Sequence, residues 1–246
     1  ALAMSLAAPV SLAAQFRMVP APENYGDPGL RDISVGLVIP ELVLGEGASW
    51  AGWSSSFLEA EGKPPLMPEP TGDEEVDMEA EYDYSSTYAA WTTMYAASSL
   101  LDGNPSTAWV EGVPGPGLGE VVIARIAERS GLGIRSGFQR SQDLFTKNAR
   151  PRRIRVWLLA AGRRDVGQYD DYYYDIKALA SREVELRDAM GWQALPLPEA
   201  SAPPTAMTGL DPSEQTTVWF VAVQILSVYP GSRWEDCCIS DIGPIR

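Results

Sequence analysis

Histidine is absent from this 246-residue sequence, and cysteine occurs only twice. Without imidazole there is no Ser-His-Asp or Cys-His nucleophile, no imidazole general base and no HExxH zinc site. A zinc site would need the two Cys plus carboxylates, a rare donor set, so any metal chemistry is expected to be hard and oxygen-based. Positive charge is scarce as well: 19 Lys and Arg face 33 Asp and Glu, for a formal net charge of −14. Affinity for phosphate backbones comes from clustered Lys and Arg, so no nucleic-acid partner is expected. Beyond the first fourteen residues, no apolar run approaches the ~18 residues that span a bilayer.

The two cysteines, Cys237 and Cys238, are adjacent. Their Cα atoms lie closer than ordinary disulfide geometry allows, and on a strand their side chains point to opposite faces. A strained vicinal disulfide and an intermolecular bridge are the alternatives to the expected state, a buried free thiol with a less buried neighbour.

The charge that is present is unevenly placed. Residues 1–83 hold three basic residues against fifteen acidic ones, leaving residues 84–246 nearly neutral. The acidity concentrates in a Pro-flanked run, Glu69, Asp73, Glu74, Glu75, Asp77, Glu79, Glu81 and Asp83. Self-repulsion and few large apolar residues point to a solvated linker; the sharper alternative is an acidic calcium-binding or protein-docking tail. Ala1 to Ala14 reads as the apolar core and small-residue cleavage region of a secretory signal whose basic leader is missing. The alternative is a frayed Ala-rich tail. The expected organisation is a signal remnant at 1–14, an acidic extended segment at 15–83 that docks a strand or two, and a folded domain at 84–246. The protein is expected to be exported, with no transmembrane segment in the mature chain.

From residue 84 onward, short β-forming runs alternate with turns such as Asp102-Gly103-Asn104-Pro105 and Pro230-Gly231. The runs are Thr107–Val110, Glu120–Ala127, Gly133–Phe138, Ile154–Ala160, Tyr169–Leu179, Val184–Leu186, Trp192–Pro196, Val218–Val228 and Cys237–Ile242. Helical patterns of useful length are missing here. The expected fold is all-β, an antiparallel jelly-roll sandwich, preceded by a largely disordered N-terminal segment.

Three blocks carry a family resemblance. The first is Asp102-Gly103 through Thr107 and Trp109 to the loop Glu111–Glu120. The second is Gly137-Phe138, Phe145 and Asn148-Ala149-Arg150-Pro151. The third is Val228–Ser232 to Asp236 and Ile239-Ser240-Asp241. Together they resemble the discoidin-like, galactose-binding-like translocation or glycan-binding module first associated with streptococcal NAD glycohydrolase. Ala149 stands where the pattern commonly has Asn, and Asp241 where it has Glu. The resemblance implies a coagulation-factor type C-like sandwich that binds carbohydrate and is not itself catalytic.

The residues also have readings of their own. Asp102, Asn104 and Thr107 offer the oxygen ligands that Ca²⁺ takes, and the resemblance adds Asp241 as a closing carboxylate. In the alternative, Asp102 only caps its own turn through Asx hydrogen bonds. The loop Gly115-Pro116-Gly117-Leu118-Gly119 matches neither phosphate-binding glycine motif, and a strand follows it. It is expected to be a hairpin or edge connection. Glu111 and Glu120 at its ends suit a glycosidase acid/base pair in principle; a structural ion pair with Arg150 or Arg135 is the expected state. Lys147, Arg150, Arg152, Arg153, Arg155, Arg163 and Arg164 read as the solvated face of a strand.

Sugar recognition needs flat apolar faces beside planar hydrogen-bonding groups. The platforms named on that basis are Trp109, Phe138, Trp192 and Trp234, with Glu111, Arg140, Asn148 and Arg150 as polar partners and Glu120 taken with them. Trp109 also fits a core role. Tyr172-Tyr173-Tyr174 forms a second candidate surface. The expected function is non-catalytic binding of a cell-surface glycan. The alternatives are a protein-interaction, assembly or toxin-translocation module, and a carboxylate-dependent hydrolase.

Overall fold

The computed structural model describes residues 26–44, 52–167 and 170–245. The expected signal at 1–14 lies outside the described residues, as does Trp50. Several runs here are apolar at successive positions, among them Val121-Val122-Ile123-Ala124, Trp157-Leu158-Leu159-Ala160 and Phe220-Val221-Ala222-Val223. A strand with one wet face alternates; a strand apolar on both sides must be covered on both sides.

The strands are β1 (Val38–Leu44), β2 (Gly52–Ser54), β3 (Trp109–Val110), β4 (Val121–Ile126), β5 (Leu132–Ser136), β6 (Arg150–Ala160), β7 (Arg163–Val166), β8 (Asp171–Glu185), β9 (Gln193–Ala194), β10 (Ala206–Met207), β11 (Trp219–Tyr229) and β12 (Cys238–Pro244). The larger sheet runs β10-β7-β8-β6-β11-β4-β2, with β1 also on β8; the smaller runs β3-β12-β5-β9. β6 and β7 follow one another along one edge of β8 and β1 lies on the other, so Leu42 and Arg164 both stand opposite Tyr173. These pairs are antiparallel except β10 on β7. The fold is thus the expected all-β sandwich.

Between the sheets, Val122, Val156, Leu158, Val221 and Val223 pack against Trp109, Ile134, Ile239 and Ile242. On the far face of the larger sheet, Val121, Ile123, Trp157, Leu159 and Phe220 pack beneath Leu30, Ile33, Ile39, Leu42 and Trp53. Trp53 meets Phe220 edge-on at 5.8 Å, and Phe220 meets Tyr173 at 5.3 Å. Each fully buried side chain of this size contributes ~1.5–3 kcal/mol, and the segment before residue 84 supplies five of the fifteen buried residues on this face. It docks two strands, β1 at Val38–Leu44 and β2 at Gly52–Ser54.

The acidic run is not an extended linker. It forms α1 (Glu74–Thr92), N-capped by Asp73, whose side chain accepts from the Glu75 and Val76 N–H groups. Glu74, Glu75 and Asp77 occupy the first turn, where the helix dipole favours negative charge. Thr71 and Gly72 donate to Asp77 and hold its carboxyl below the ordinary value, the Thr71 N–H contributing most. Tyr84, Tyr88 and Trp91 stack along one face at 5.7 and 5.8 Å. Repulsion was the effect weighed in the sequence; capping, dipole and aromatic stacking outweigh it. α1 buries none of its side chains. Among the described residues no helix is long and apolar enough to cross a membrane.

Val184–Leu186 is not a separate strand, since Val184 and Glu185 end β8. β7, whose sequence is Arg-Arg-Asp-Val, carries no apolar alternation to announce it. Cys237 and Cys238 are free thiols and both are buried. Cys237 joins the core between the sheets and Cys238 a second cluster with Ala108 and Val110, so neither is the more exposed neighbour. Burial raises both thiols well above the ordinary value.

Candidate functional site

At one end of the sandwich the chain leaves β5 through Gly137 and Phe138, then enters a short helix, α2 (Gln142–Lys147). Ser141 caps it by accepting from Leu144 N–H, and Asn148 ends it, its backbone N–H and Nδ2 both donating to the Leu144 carbonyl. The loop after β11 folds onto this end. Ser232 N–H donates to the Thr146 carbonyl at 3.0 Å, and the Arg233 and Trp234 N–H groups to that of Lys147 at 3.1 and 2.9 Å. Gly231 lets the two backbones approach: a Cβ there would lie 2.2 Å from the Trp234 carbonyl oxygen and 2.4 Å from that of Lys147.

The opposite wall comes from Leu58 and Glu61, before the domain, and from Tyr95. Leu58 N–H donates to the Val110 carbonyl and Val110 N–H to the Tyr95 carbonyl, so both flank β3. Trp91 Nε1 donates to the Glu61 carbonyl at 3.2 Å and ties that wall to α1. The result is a cleft of about 80 Å³ lined by Leu58, Glu61, Tyr95, Val110, Phe138, Leu144, Asn148, Trp234 and Asp236. Cys238 packs with Val110, Tyr95 and Phe138 beneath it.

Three residues named from the sequence meet here, Phe138, Asn148 and Trp234. Arg140 is exposed and close enough for its charge to act on Tyr95. Trp109, Glu111, Glu120 and Arg150 do not line the cleft. Trp109 is fully buried and its Nε1 donates to the Ser56 carbonyl at 2.8 Å. Glu111 is fully buried, accepting from the Val113 and Cys237 N–H groups, and packs against Gly117 of the glycine-rich loop. Burial pushes it up to about 7 against those N–H bonds, with a smaller push from Asp236 and Glu120. Glu120 pairs with Arg31, and accepts from Ser55 and Ser56. Burial would raise it, but these three donors hold it below the ordinary value. Arg150 is clamped to Asp188 at 2.6 and 2.7 Å and lies over Phe145.

The expected partners of the glutamates are therefore wrong in detail. Arg150 takes Asp188, Arg135 faces Asp241, and Glu120 takes Arg31 from outside the assigned domain. The strand arginines Arg152, Arg155 and Arg164 pair with Glu185, Glu183 and Asp171 on β8. Trp192 sits away from the cleft, beneath the Arg135 guanidinium at 4.5 Å.

At the Asp102-Gly103 turn, Asp102 accepts from Asn104 N–H and the Thr107 hydroxyl, and Asn104 Oδ1 from Ser106 N–H. The buried Asp241 lies alongside, with its Oδ2 unpartnered and 3.9 Å from Arg135 Nη1. Burial first, then the charge of Asp102, raises Asp241 to about 6, against Arg135 and the Ile242 and Gly103 N–H groups. Among the described residues no group of three His, Cys, Asp or Glu side chains could hold a metal ion. Two carboxylates that repel one another around an unpartnered oxygen do fit a weak hard-cation site.

Sequence reasoning missed Leu58, Glu61, Tyr95 and Leu144 as cleft residues. No local signal marks them, because they reach the cleft through tertiary packing alone. Asp236 had a signal, its place in the polar loop with Trp234.

The model of one family, described as the NAD glycohydrolase translocation F5/8 type C domain, matches residues 74–243. No curated protein matches the chain. Among solved structures, it is similar to a mutant of the arabinofuranosyltransferase AftD from Mycobacteria in two classes. The identities are 13% and 12%, with TM-scores of 0.37 and 0.30, over 85% of this chain and 11% of theirs. A Ruminococcus gnavus GH29 fucosidase mutant in complex with fucose is similar at 10% identity and TM-score 0.29, over 80% of this chain and 25% of that one. This chain thus spans a small part of each.

Proposed function

The chain belongs to the NAD glycohydrolase translocation F5/8 type C domain family, and on that premise we propose that it is a non-catalytic carbohydrate-binding module of an exported protein. The observation that carries this reading is the cleft, where Phe138, Tyr95 and Trp234 stand beside Asn148, Glu61 and Asp236. Aromatic faces suit the C–H-rich side of a pyranose, and the polar groups suit its hydroxyls. The Trp234 loop is fixed by three backbone hydrogen bonds to α2, which keeps the ordering cost of binding low. Asp102 and Asp241, with Asn104 and Thr107, would hold a structural Ca²⁺, the Asp241 Oδ2 being the oxygen still free to ligate. The ion would cancel the repulsion between the two carboxylates.

Binding to a glycan array that is lost in Trp234→Ala supports the reading. A silent array overturns it. A second reading, protein docking, draws on one observation: Leu66, Met67, Val76, Met78 and Tyr82, on α1 and the irregular strap before it, are exposed.

A further inference from the structure

The polar side chains lining the cleft share one property. Glu61 and Asp236 are carboxylates, acceptors only. Asn148 commits one Nδ2 hydrogen to the Leu144 carbonyl and keeps its amide oxygen as an acceptor. The Tyr95 hydroxyl donates to Glu61. Among the described residues that line the cleft none is basic. Acceptors predominate here, so the cleft favours a ligand that brings donors.

The field in the cleft has the same sign. Tyr95 is raised first by burial and next by Glu61, with Arg140 opposing. Cys238, beneath the floor, is raised by burial and then by Asp236. The aromatic wall adds to this. At the rim, Arg233 already lies over the Trp234 ring at 4.6 Å, the attraction a π-face exerts on a cation.

Resting on the glycan-binding reading of this same cleft, we propose that it selects a sugar unit bearing a protonated amine, a 2-amino-2-deoxyhexose, over a neutral hexose, and rejects uronic acids. An ammonium brings three N–H donors and no acceptor. It would sit between Glu61 and Asp236, against Tyr95 and Trp234, where Coulomb attraction and the ring quadrupoles act together. A uronic carboxylate in the same place would meet two like charges and an amide oxygen. Glu61 reaches the site through the strap that Trp91 holds, so Trp91 is a positioning residue for this selectivity.

The test is isothermal titration with methyl glycosides of gluco and galacto configuration, each as amino sugar, hexose and uronic acid. The titrations are run at about pH 6, where an amino sugar's amine is protonated. The expected order is amino sugar tightest by about tenfold, hexose next and uronic acid undetectable. Glu61→Gln and Asp236→Asn should each lower the ratio of amino-sugar to hexose affinity. Trp91→Phe should reduce the preference without touching the cleft. Equal binding of amino sugar and hexose, or tighter binding of uronic acid, overturns the charge selectivity and leaves glycan binding standing. Silence with all six, alongside a silent array, removes the glycan reading and this inference with it.

Discussion

Arg31 Nε donates to the carboxylate of Glu120 across 89 residues of sequence. The pair joins the turn before β1 to the start of β4, and so fastens the N-terminal cover to the sandwich. Because Glu120 is held below its ordinary value, its contribution is full above the ordinary carboxylate pKa and is lost as pH falls through the folded value. Arg31→Ala should cost about 1–3 kcal/mol near neutrality, read as a lower urea midpoint at unchanged slope. That loss should shrink in acid; a midpoint equal to wild type would show that the pair contributes nothing.

Glu111 has the opposite sign. Its value rises from 4.5 to about 7, so within that window the folded protein holds a proton the unfolded chain has released. Stability contributed by this group falls as pH rises through the window and is flat above it. In Glu111→Gln that slope should vanish. Denaturation curves at a series of pH values decide it, and identical slopes in the two proteins would refute the assignment.

Gly231→Ala should disturb the cleft more than its single methyl suggests. The new Cβ would meet two backbone carbonyl oxygens inside contact distance, which forces the Trp234 loop off α2. Glycan binding should fall at least as far as in Trp234→Ala, with cooperative unfolding retained. Wild-type affinity would mean that the loop's position does not matter.

Millimolar calcium should raise the melting temperature, since a ligand bound only to the folded state stabilises it by mass action. Asp241→Asn should abolish the rise. No shift in the wild-type protein would sink the calcium site and leave Asp241 as the partner of Arg135.

Asp73→Ala removes the side chain that caps α1 and should destabilise that helix by about 1 kcal/mol. Because α1 buries no side chain, far-UV helical signal should fall while the melting of the sandwich stays put. A drop in sandwich melting would show that α1 is packed more tightly than its exposure implies.

Most long strands of the sandwich were legible in the sequence because β-forming runs and turn residues are local features, whereas β7 and β10 have no such run. Phe138, Asn148 and Trp234 were legible from their side-chain chemistry, but that they meet was not, since they lie on three separate segments. Glu111 and Arg150 were named with them and proved internal. Sequence shows that a carboxylate or guanidinium is present, but whether it faces a ligand or a buried partner depends on what folds over it.

By itself the sequence determined that imidazole chemistry is impossible here, that the domain is a β-sandwich, and, through unbroken runs such as Val121 to Ala124, that one sheet must be covered on both faces. Only the tertiary structure decided what covers it. Leu30, Ile33, Ile39, Leu42 and Trp53 do so, from a segment too irregular to show a period. The acidic run gave a similar lesson, for its charge is a property of composition whereas its helix depends on Asp73, Thr71 and three stacked rings in register. The cleft is the clearest case, because its second wall comes from Leu58, Glu61 and Tyr95, and chemistry between distant segments exists only once packing has brought them together.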